Sequence, residues 1–338
     1  MFKVVSLFSG CGGADQGIIG DFTFNKKKYE RLPFELVYAT DIDQKALNSH
    51  MKNFNCENVV CKDICETKSN EIPNCDIIVG GFPCQSFSTV NPTKDPFDDR
   101  ANLYKQMVRV VRDKQPKVFI AENVKGMMTL HKGQIFNRII KAFEEVGYTT
   151  YTKLFNAADY GVPQKRERVI IVGIRNDLVG KVSFSFPKEH DYKPVLRDVL
   201  LDCPEGPGVP YGENKRKIFE LVPPGGYWRD IDPEIAKAYM KSCWDMEGGR
   251  TGILRRMSLD EPSLTVLTSP SQKQTERCHP LEARPFTVRE NARCQTFPDE
   301  WQFCGSVQSQ YKQVGNAVPV NLAYEIGLEI HKSLEGVK

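Results

Sequence analysis

Residues 77–88 read Ile77-Ile78-Val79-Gly80-Gly81-Phe82-Pro83-Cys84-Gln85-Ser86-Phe87-Ser88, an apolar strand that runs into a turn. The two glycines allow a tight turn, and Pro83 fixes the backbone φ angle immediately before the Cys84 thiol. A nucleophilic thiol must be held still and exposed, and this setting does both. Free cysteines are more often small buried core residues. The local pattern therefore favours a nucleophilic Cys84 only modestly.

The strand before this turn is one of a series in which strand and helix signals alternate. Asp43 is positioned to cap a helix that runs through His50, with Ala46, Leu47 and Met51 on one face. This alternation predicts an open α/β sheet. The predicted strands are 3–7, 35–40, 58–61, 76–79, 117–121 and 168–174, and the further predicted helices are 103–111 and 135–143.

Polar or reactive residues follow the carboxyl ends of these strands. Asp41, Asp63, Cys84 and Glu122 each come directly after, or shortly after, an apolar run. Open α/β sheets bind their ligands at this edge. We therefore expect residues that are far apart in the chain to form a single site.

The pattern changes after about residue 186. Proline and glycine become frequent, as in Pro223-Pro224-Gly225-Gly226, and regular periodicity fades until Arg289. Residues 319–334 then form an amphipathic pattern with Pro319 near its start. We predict a first domain over 1–186, completed by 308–338, and a second, smaller, loop-rich domain over 187–307.

The turn at Cys84 resembles the catalytic loop of the DNA (cytosine-5) methyltransferases, and other segments resemble further motifs of that family in the family's order. One match would be weak, but a set in order is highly specific. The chain is identified as a member of the family, of the bacterial restriction-modification type. The other segments are Phe8-Ser9-Gly10-Cys11-Gly12-Gly13, Glu122-Asn123-Val124, Gln164-Lys165-Arg166-Glu167-Arg168, Arg289-Glu290-Asn291-Ala292-Arg293 and Gln313-Val314-Gly315-Asn316-Ala317-Val318-Pro319.

The resemblance implies the Rossmann-like open sheet of the S-adenosylmethionine-dependent methyltransferases, and it gives the candidate catalytic residues a common reaction. Carbon 5 of cytosine becomes nucleophilic when a thiolate adds to carbon 6, and Cys84 fits that role. Glu122 fits a group that acts on N3. Arg166 and Arg168 lie on the same face of an extended segment, where one can brace Glu122 or a phosphate. By resemblance, Arg168 is the donor to the cytosine O2.

The methyl donor implied by the family is S-adenosyl-L-methionine. The loop with Phe8, Gly10 and Gly13 follows a strand and lets the backbone approach an amino-acid group, while Asp41 beside Ile42 suits a ribose diol. Asp63 and Ile64 resemble the adenine-binding pair. Leu103, Asn316 and Val318 complete the pocket by resemblance. Cys11 is interpreted as a packing residue.

The implied substrate is double-stranded DNA, from which the target base must be flipped out at a cost of a few kcal/mol. Gln85, Ser88 and Arg100 resemble the family's mobile-loop and backbone contacts, and Thr265 begins a dipeptide that follows the recognition region. Base-edge contacts are expected mainly between residues 190 and 280. A cognate restriction endonuclease acting on the same site is the expected companion, with no physical contact implied.

Composition narrows the remaining possibilities. The chain has 46 Lys and Arg against 43 Asp and Glu, a net charge of +3 that is compatible with nucleic acid. Its basic clusters, 26–28, 215–217 and 255–256, are each more often a solvated surface than a contact. The 11 cysteines contain no CxxC pair, which argues for free thiols and against a metal site. With no signal peptide and no membrane-spanning stretch apparent, we expect a cytoplasmic protein.

Three alternatives to a sequence-specific DNA methyltransferase fit the sequence less well. An RNA-acting relative would have a different catalytic-loop signature and a shorter recognition region than this chain. An inactive DNA-binding module would be expected to have lost Cys84, Glu122 or Asn316, and all three are present. A nicotinamide-dependent oxidoreductase would need the GxGxxG motif that is missing here.

Overall fold

The computed structural model describes residues 1–83, 103–270, 272 and 275–337. Its centre is a seven-stranded sheet with the strand order β5-β4-β1-β6-β7-β10-β8. Two short pairs, β2–β3 and β9–β11, lie outside it. The strands are β1 (Phe2–Leu7), β2 (Phe22–Phe24), β3 (Lys27–Tyr29), β4 (Phe34–Asp41), β5 (Val59–Cys61), β6 (Ile77–Gly80), β7 (Val118–Val124), β8 (Tyr148–Asn156), β9 (Gln164–Lys165), β10 (Glu167–Arg175) and β11 (Ser263–Leu264).

The five strands from β5 to β7 in this order are parallel, and β10 pairs antiparallel with both β7 and β8. Both faces of the central strands are covered. Val4 and Ile120 point into one hydrophobic core, while Val5 and Phe119 point into the other. Because neither face is left to solvent, residues 77–79 of β6 and 118–121 of β7 are unbroken apolar runs in the sequence.

Helices cover the two faces. The first core includes Ile18 of α1 and Ile326 of α11, whereas the second includes Met107 of α3 and Ile139 of α5. The helices are α1 (Gly13–Ile19), α2 (Gln44–Asn53), α3 (Leu103–Lys114), α4 (Gly126–Thr129), α5 (Gln134–Glu145), α6 (Arg197–Leu200), α7 (Glu213–Leu221), α8 (Pro233–Met240), α9 (Val288–Cys294), α10 (Val307–Asn316) and α11 (Val320–Leu334).

The predicted α/β sheet is confirmed, with two local corrections. β7 extends through Glu122 to Val124 instead of ending at 121, because β10 pairs with it up to the Arg168–Val124 position. Asp43 caps α2 as predicted, but Met51 is 46% exposed. His50 takes the buried face in its place because its ring nitrogen finds a partner in Asp15.

A third hydrophobic core, here called the small core, lies within the segment predicted as loop-rich. Three short helices, α6 to α8, interrupt that segment, so the prediction that regular periodicity fades there is wrong in part. Met257 and Val266, in the same segment, pack instead in the first core of the sheet. The buried members of the small core are Phe219, Val222, Trp228, Ala236, Met240, Ile253, Leu254 and Cys278.

The basic clusters differ in their surroundings. Lys26–Lys28 is exposed on the β2–β3 hairpin, as predicted. Arg255 and Arg256 are only partly exposed, and Arg256 donates to the carbonyls of Phe219 and Val222. A solvated surface is therefore the wrong interpretation of that pair. Among the described residues, no helix has both the length and the apolar character needed to cross a bilayer.

Candidate active site

The carboxyl ends of β1, β4, β5, β6 and β7 open onto one cavity of about 630 Å³. The chain leaves β5 and returns to β6 on the far side of β1, a reversal that creates a ligand crevice in open α/β sheets. Because β10 is antiparallel to β7, its first residues reach the same edge. The predicted site residues that line the cavity are Phe8, Gly10, Gly13, Asp41, Ile42, Asp63, Ile64, Leu103, Glu122, Arg166, Arg168, Asn316 and Val318.

The loop after β1 is strained and held in place by side chains. Phe8 has a φ angle of 55°, in the left-handed region that bulky residues rarely adopt. Ser9 Oγ accepts from the Thr40 amide at 3.0 Å and donates to the Ser6 carbonyl at 3.1 Å. The Gly10 amide donates to Asp41 Oδ2 at 2.9 Å. Backbone strain that the surroundings maintain in this way is typical of ligand sites.

Carboxylates and apolar side chains alternate along this end of the cavity. Asp41 Oδ1 also accepts from the Asp43 amide at 2.8 Å, and Asp63 Oδ1 accepts from the Cys65 amide at 2.8 Å. Each carboxylate keeps further acceptor capacity for a ligand. Ile42 is 70% exposed although it lines the cavity, which leaves an apolar surface without a covering residue. These acceptors, the apolar surface beside them and the cavity volume fit an adenosine-containing molecule.

A neighbouring ion pair joins the amino-terminal and carboxyl-terminal parts of the chain. Lys312 Nζ lies 2.9 Å from Asp43 Oδ2. Burial alone would raise the pKa of the Asp43 carboxyl, but Lys312 and the first amides of α2 lower it below its ordinary value. The pair thus fixes α10 against the start of α2 beside the cavity.

Glu122 and Arg168 form an ion pair at the other end of the cavity. Arg168 Nε lies 2.8 Å from Glu122 Oε1, and the two side chains are 14% and 17% exposed. Neither Gly80 nor Gly81 has a positive φ angle, so neither supplies a left-handed backbone conformation. Gly81 instead leaves room for the carboxylate, since a side chain there would lie 3.2 Å from Glu122 Oε2.

Arg166 lies behind this pair, 2% exposed. Its Nη2 donates to the carbonyls of Gly315 and Ala317 at 3.0 and 3.1 Å. Burial, followed by the positive charge of Arg168, lowers the pKa of its guanidinium to about 9. In this arrangement Arg168, and not Arg166, is the arginine that braces Glu122.

The structure describes the cysteine turn as far as Pro83. Phe82 and Pro83 line the cavity, and the Phe82 carbonyl accepts from Asn123 Nδ2 at 2.8 Å. Cys84, Gln85, Ser88 and Arg100 lie outside the described residues. Thr265 is described, but it lies away from the cavity, where its Oγ1 donates to the Lys165 carbonyl at 2.9 Å.

Several buried polar residues support the site although the sequence offered no signal for them. Gln295 Nε2 donates to the carbonyls of Val314 and Ala317, so it holds the same loop as Arg166. His50 and Asp15, both almost fully buried, meet at 2.9 Å beneath the loop after β1. Side chains such as these become recognisable only when the fold brings their partners together.

The thiols near the site have different environments. Cys11 is buried, and burial raises its pKa to about 12, which agrees with its predicted role in packing. Cys61 and Cys65 are exposed. Within the described part of the chain, His, Cys, Asp and Glu side chains form no group of three or more that could hold a metal ion.

Comparisons with known proteins agree with the family that the sequence motifs indicated. A sequence model of the family described as C-5 cytosine-specific DNA methylase matches residues 2–332. The chain is 40% identical over 346 residues to the Type II methyltransferase M.Eco47II of Escherichia coli, covering 100% of this chain and 80% of that protein. It is 43% identical over 330 residues to the Type II methyltransferase M.Sau96I of Staphylococcus aureus, covering 96% and 75%.

Solved structures have the same fold. The crystal structure of a prophage-encoded E. coli protein, assigned as a DNA modification methyltransferase, superposes with a TM-score of 0.72 at 25% identity. That match covers 99% of this chain and 100% of the other. The S. pombe Dnmt2 methyltransferase gives a TM-score of 0.66 at 18% identity, with 100% of both chains covered. At this identity the second likeness shows the fold alone.

Proposed function

This chain belongs to the C-5 cytosine-specific DNA methylase family, and on that premise we propose that the cavity is where a cytosine flipped out of duplex DNA is methylated at C5. One observation carries the proposal. Glu122, Arg168 and Pro83 line the same cavity as the predicted cofactor residues, and Cys84 is the next residue in the chain.

The cofactor would be held at the end of the cavity formed by the loop after β1. Asp41 would accept from the ribose hydroxyls, Asp63 from the adenine amino group, and Ile42 and Ile64 would cover the ring. The residues that would complete this half are Phe8, Gly10, Gly13, Leu103, Asn316 and Val318. S-adenosyl-L-methionine supplies an electrophilic methyl group when it is bound.

At the other end, the side chains would activate the base. A bond forms between Cys84 Sγ and C6, the C5–C6 π bond opens, and its electron pair is shared between C5 and N3. Glu122 in its protonated form donates to N3, and Arg168 donates to O2, so the developing negative charge is neutralised. C5 would then take the methyl group, and the donor would leave as a neutral thioether. A base such as water would remove the C5 proton, the C5–C6 double bond would re-form as the C6–S bond breaks, and N3 would return its proton to Glu122, which restores the aromatic ring, the thiolate and the acid.

Arg166 would serve as a positioning residue. Its hydrogen bonds to Gly315 and Ala317 tie the cofactor loop of α10 to the segment that carries Arg168. We propose that Gln85, Ser88, Arg100 and Thr265 contact the DNA. Recognition would belong to the second domain, residues 187–307, and a cognate restriction endonuclease would act on the same site.

The test of the covalent step is a trapping experiment. In the presence of S-adenosyl-L-methionine, duplex DNA that carries 5-fluorocytosine at the target should form a complex with the wild-type protein that survives denaturing electrophoresis, because after methylation the fluorine at C5 cannot leave as the proton does. Cys84→Ser should abolish the trapped band. The target itself is found beforehand by bisulfite sequencing of DNA from cells that express the chain.

Cys56→Ser is the matched control, because it removes a partly exposed thiol that does not line the cavity. It should trap as the wild type does. Wild-type trapping by Cys84→Ser, with cofactor binding intact by calorimetry, would show that another group attacks the base.

A further inference from the structure

Arg255 and Arg277 are cross-strand neighbours in the region around the small core. Arg256 and Cys278 form an isolated parallel bridge, in which the Cys278 amide donates to the Arg255 carbonyl and the Met257 amide donates to the Cys278 carbonyl. Cys278 points into the small core. Because side chains alternate along extended backbone, Arg255 and Arg277, each one residue earlier, project together from the opposite face.

Both arginines are held in place. The Arg255 guanidinium lies over the Tyr227 ring at 5.6 Å, and Arg277 Nη1 donates to the Glu276 carbonyl at 2.8 Å. The Nε atoms of both are buried and have no hydrogen-bond partner among the described residues. Burial, followed by the positive charge of Arg255, lowers the pKa of Arg277 to about 10, so Arg277 remains charged at neutral pH.

Two more arginines extend the positive charge. The guanidiniums of Arg229 and Arg250 lie 4.9 and 5.1 Å from the centre of the Trp228 ring. Within the part of the chain that the structure describes, no carboxylate forms an ion pair with Arg229, Arg250, Arg255 or Arg277. Elsewhere arginines are paired, as Arg197 is with Asp260 and Arg293 with Asp299.

A fixed positive charge without a counter-charge needs a negatively charged or electron-rich partner, because leaving a charged group half-buried and unpaired is unfavourable. A methylation target contains at least one C·G pair, so it always offers a guanine. The guanine O6 and N7 atoms accept from one guanidinium in the major groove. Phosphate contacts fix the register of a protein on DNA, whereas contacts to base edges carry the sequence information, and a guanidinium held in place can present its donors to one base.

We infer that Arg255 and Arg277 read guanine in the major groove of the target site, with Arg229 and Arg250 contributing positive charge around them. The inference rests on the proposed function, because it takes duplex DNA as the substrate. It assigns target recognition to two named residues on one face of the small-core region.

The test combines protein and DNA changes. Each guanine of the target is replaced in turn by 7-deazaguanine, which lacks the N7 acceptor, or by inosine, which keeps N7 and O6. Binding to the wild type, Arg255→Gln and Arg277→Gln is measured by fluorescence anisotropy. The wild type should lose about 10-fold or more in affinity at one or two guanines on 7-deaza substitution. At those guanines, the variant that lacks the contacting arginine should lose little further affinity on 7-deaza substitution. Inosine at the same positions should lower the affinity of the wild type only slightly.

Arg216→Gln is the control, because it removes an exposed charge from α7, where Arg216 pairs with Glu220. It should lose as much affinity on 7-deaza substitution as the wild type does. If Arg255→Gln and Arg277→Gln also lose as much affinity as the wild type on 7-deaza substitution at every guanine, the two arginines do not read guanine. Equal loss on target and unrelated duplexes, with a weaker salt dependence, would assign them to phosphates and overturn the inference.

Folding and function are checked separately. Each variant should bind S-adenosyl-L-methionine as the wild type does. A wild type that methylates no DNA would refute the proposed function and this inference with it. A wild type that methylates DNA, alongside variants with an unchanged guanine preference, would overturn only the assignment of the two arginines.

Discussion

Glu122 is held by Arg168 before any base arrives, at 2.8 Å and with each side chain less than a fifth exposed. Arg168 pairs with Val124 across the two strands, so Glu122, two residues earlier on β7, lies diagonal to it on the same face. Rigid strands thus set the spacing of the two groups. Such pre-organisation is what a transition state with charge on O2 and N3 requires.

Replacing Glu122 by Gln should reduce turnover by ~10²–10⁴-fold, the usual contribution of a general acid or base. The amide keeps the size of the side chain and can still contact the base, but it cannot deliver a proton. Single-turnover methylation of the target duplex measures the effect, and calorimetry should show cofactor affinity close to that of the wild type.

Glu167→Gln is the neighbouring control. Glu167 is exposed on β10 and pairs with Lys125 at 2.9 Å, away from Arg168 Nε. Its loss should leave the methylation rate near the wild-type value. Normal turnover in Glu122→Gln would remove this residue from the chemistry.

At the scale of elements, the close contact of α1 with α11 joins the two ends of the chain. Gly17 faces α11 so closely that a side chain there would lie 2.4 Å from the Val320 carbonyl and 2.5 Å from Ala323 Cβ. α11 follows directly after the loop that lines the cavity at Asn316 and Val318. The fit of these two helices therefore supports the cofactor end of the site.

Gly17→Ala should destabilise the protein by about 1–3 kcal/mol, the usual cost of overpacking a well-packed core. Urea unfolding measures the change. Gly126→Ala, in α4, is the control, because open space surrounds that position. It should be neutral or slightly stabilising, since alanine favours a helix over glycine. Equal stability of Gly17→Ala and the wild type would mean that α11 can move aside without cost.

The elements that the sequence predicted best are those with a purely local signal. The apolar runs of β1, β6 and β7 and the Asp43 cap of α2 need no knowledge of distant residues. Arg166 is different, because the carbonyls that it holds lie 149 and 151 positions away in the chain. The charge of an arginine suggests exposure, and only the assembled fold shows where it is buried.

The same limit affected Arg255 and Arg256. As two adjacent arginines they indicated a solvated surface, whereas Arg256 instead donates to carbonyls at the end of α7. By contrast, the carboxyl-edge rule brought Asp41, Asp63 and Glu122 together correctly, because parallel strands align their ends whatever the loops do.

At the scale of the whole molecule, the proposed recognition segment is joined to the rest of the chain between the two stretches that form the small core. Residues around the small core come from 211–256 and 275–283, and between them Met257 and Val266 pack in the first core of the sheet. β11 pairs with β9, and the Val266 amide donates to Gln164 Oε1 at 2.8 Å. The arginine motif and the recognition segment therefore share a buried connection.

This connection predicts where specificity can be exchanged. A chimera that takes 211–256 and 269–283 from a family member of known target, and keeps 257–268, should acquire the donor's target, because the retained stretch preserves the first core and the attachment at β9. A chimera that replaces all of 187–307 should unfold at a lower temperature, since it also changes the first-core residues Leu196, Phe286 and Phe297.

Bisulfite sequencing identifies the methylated target of each chimera, and thermal unfolding measures its stability. An active narrow chimera that still methylates only the original site would show that recognition lies outside these two segments, and with it the role inferred for Arg255 and Arg277 would fail.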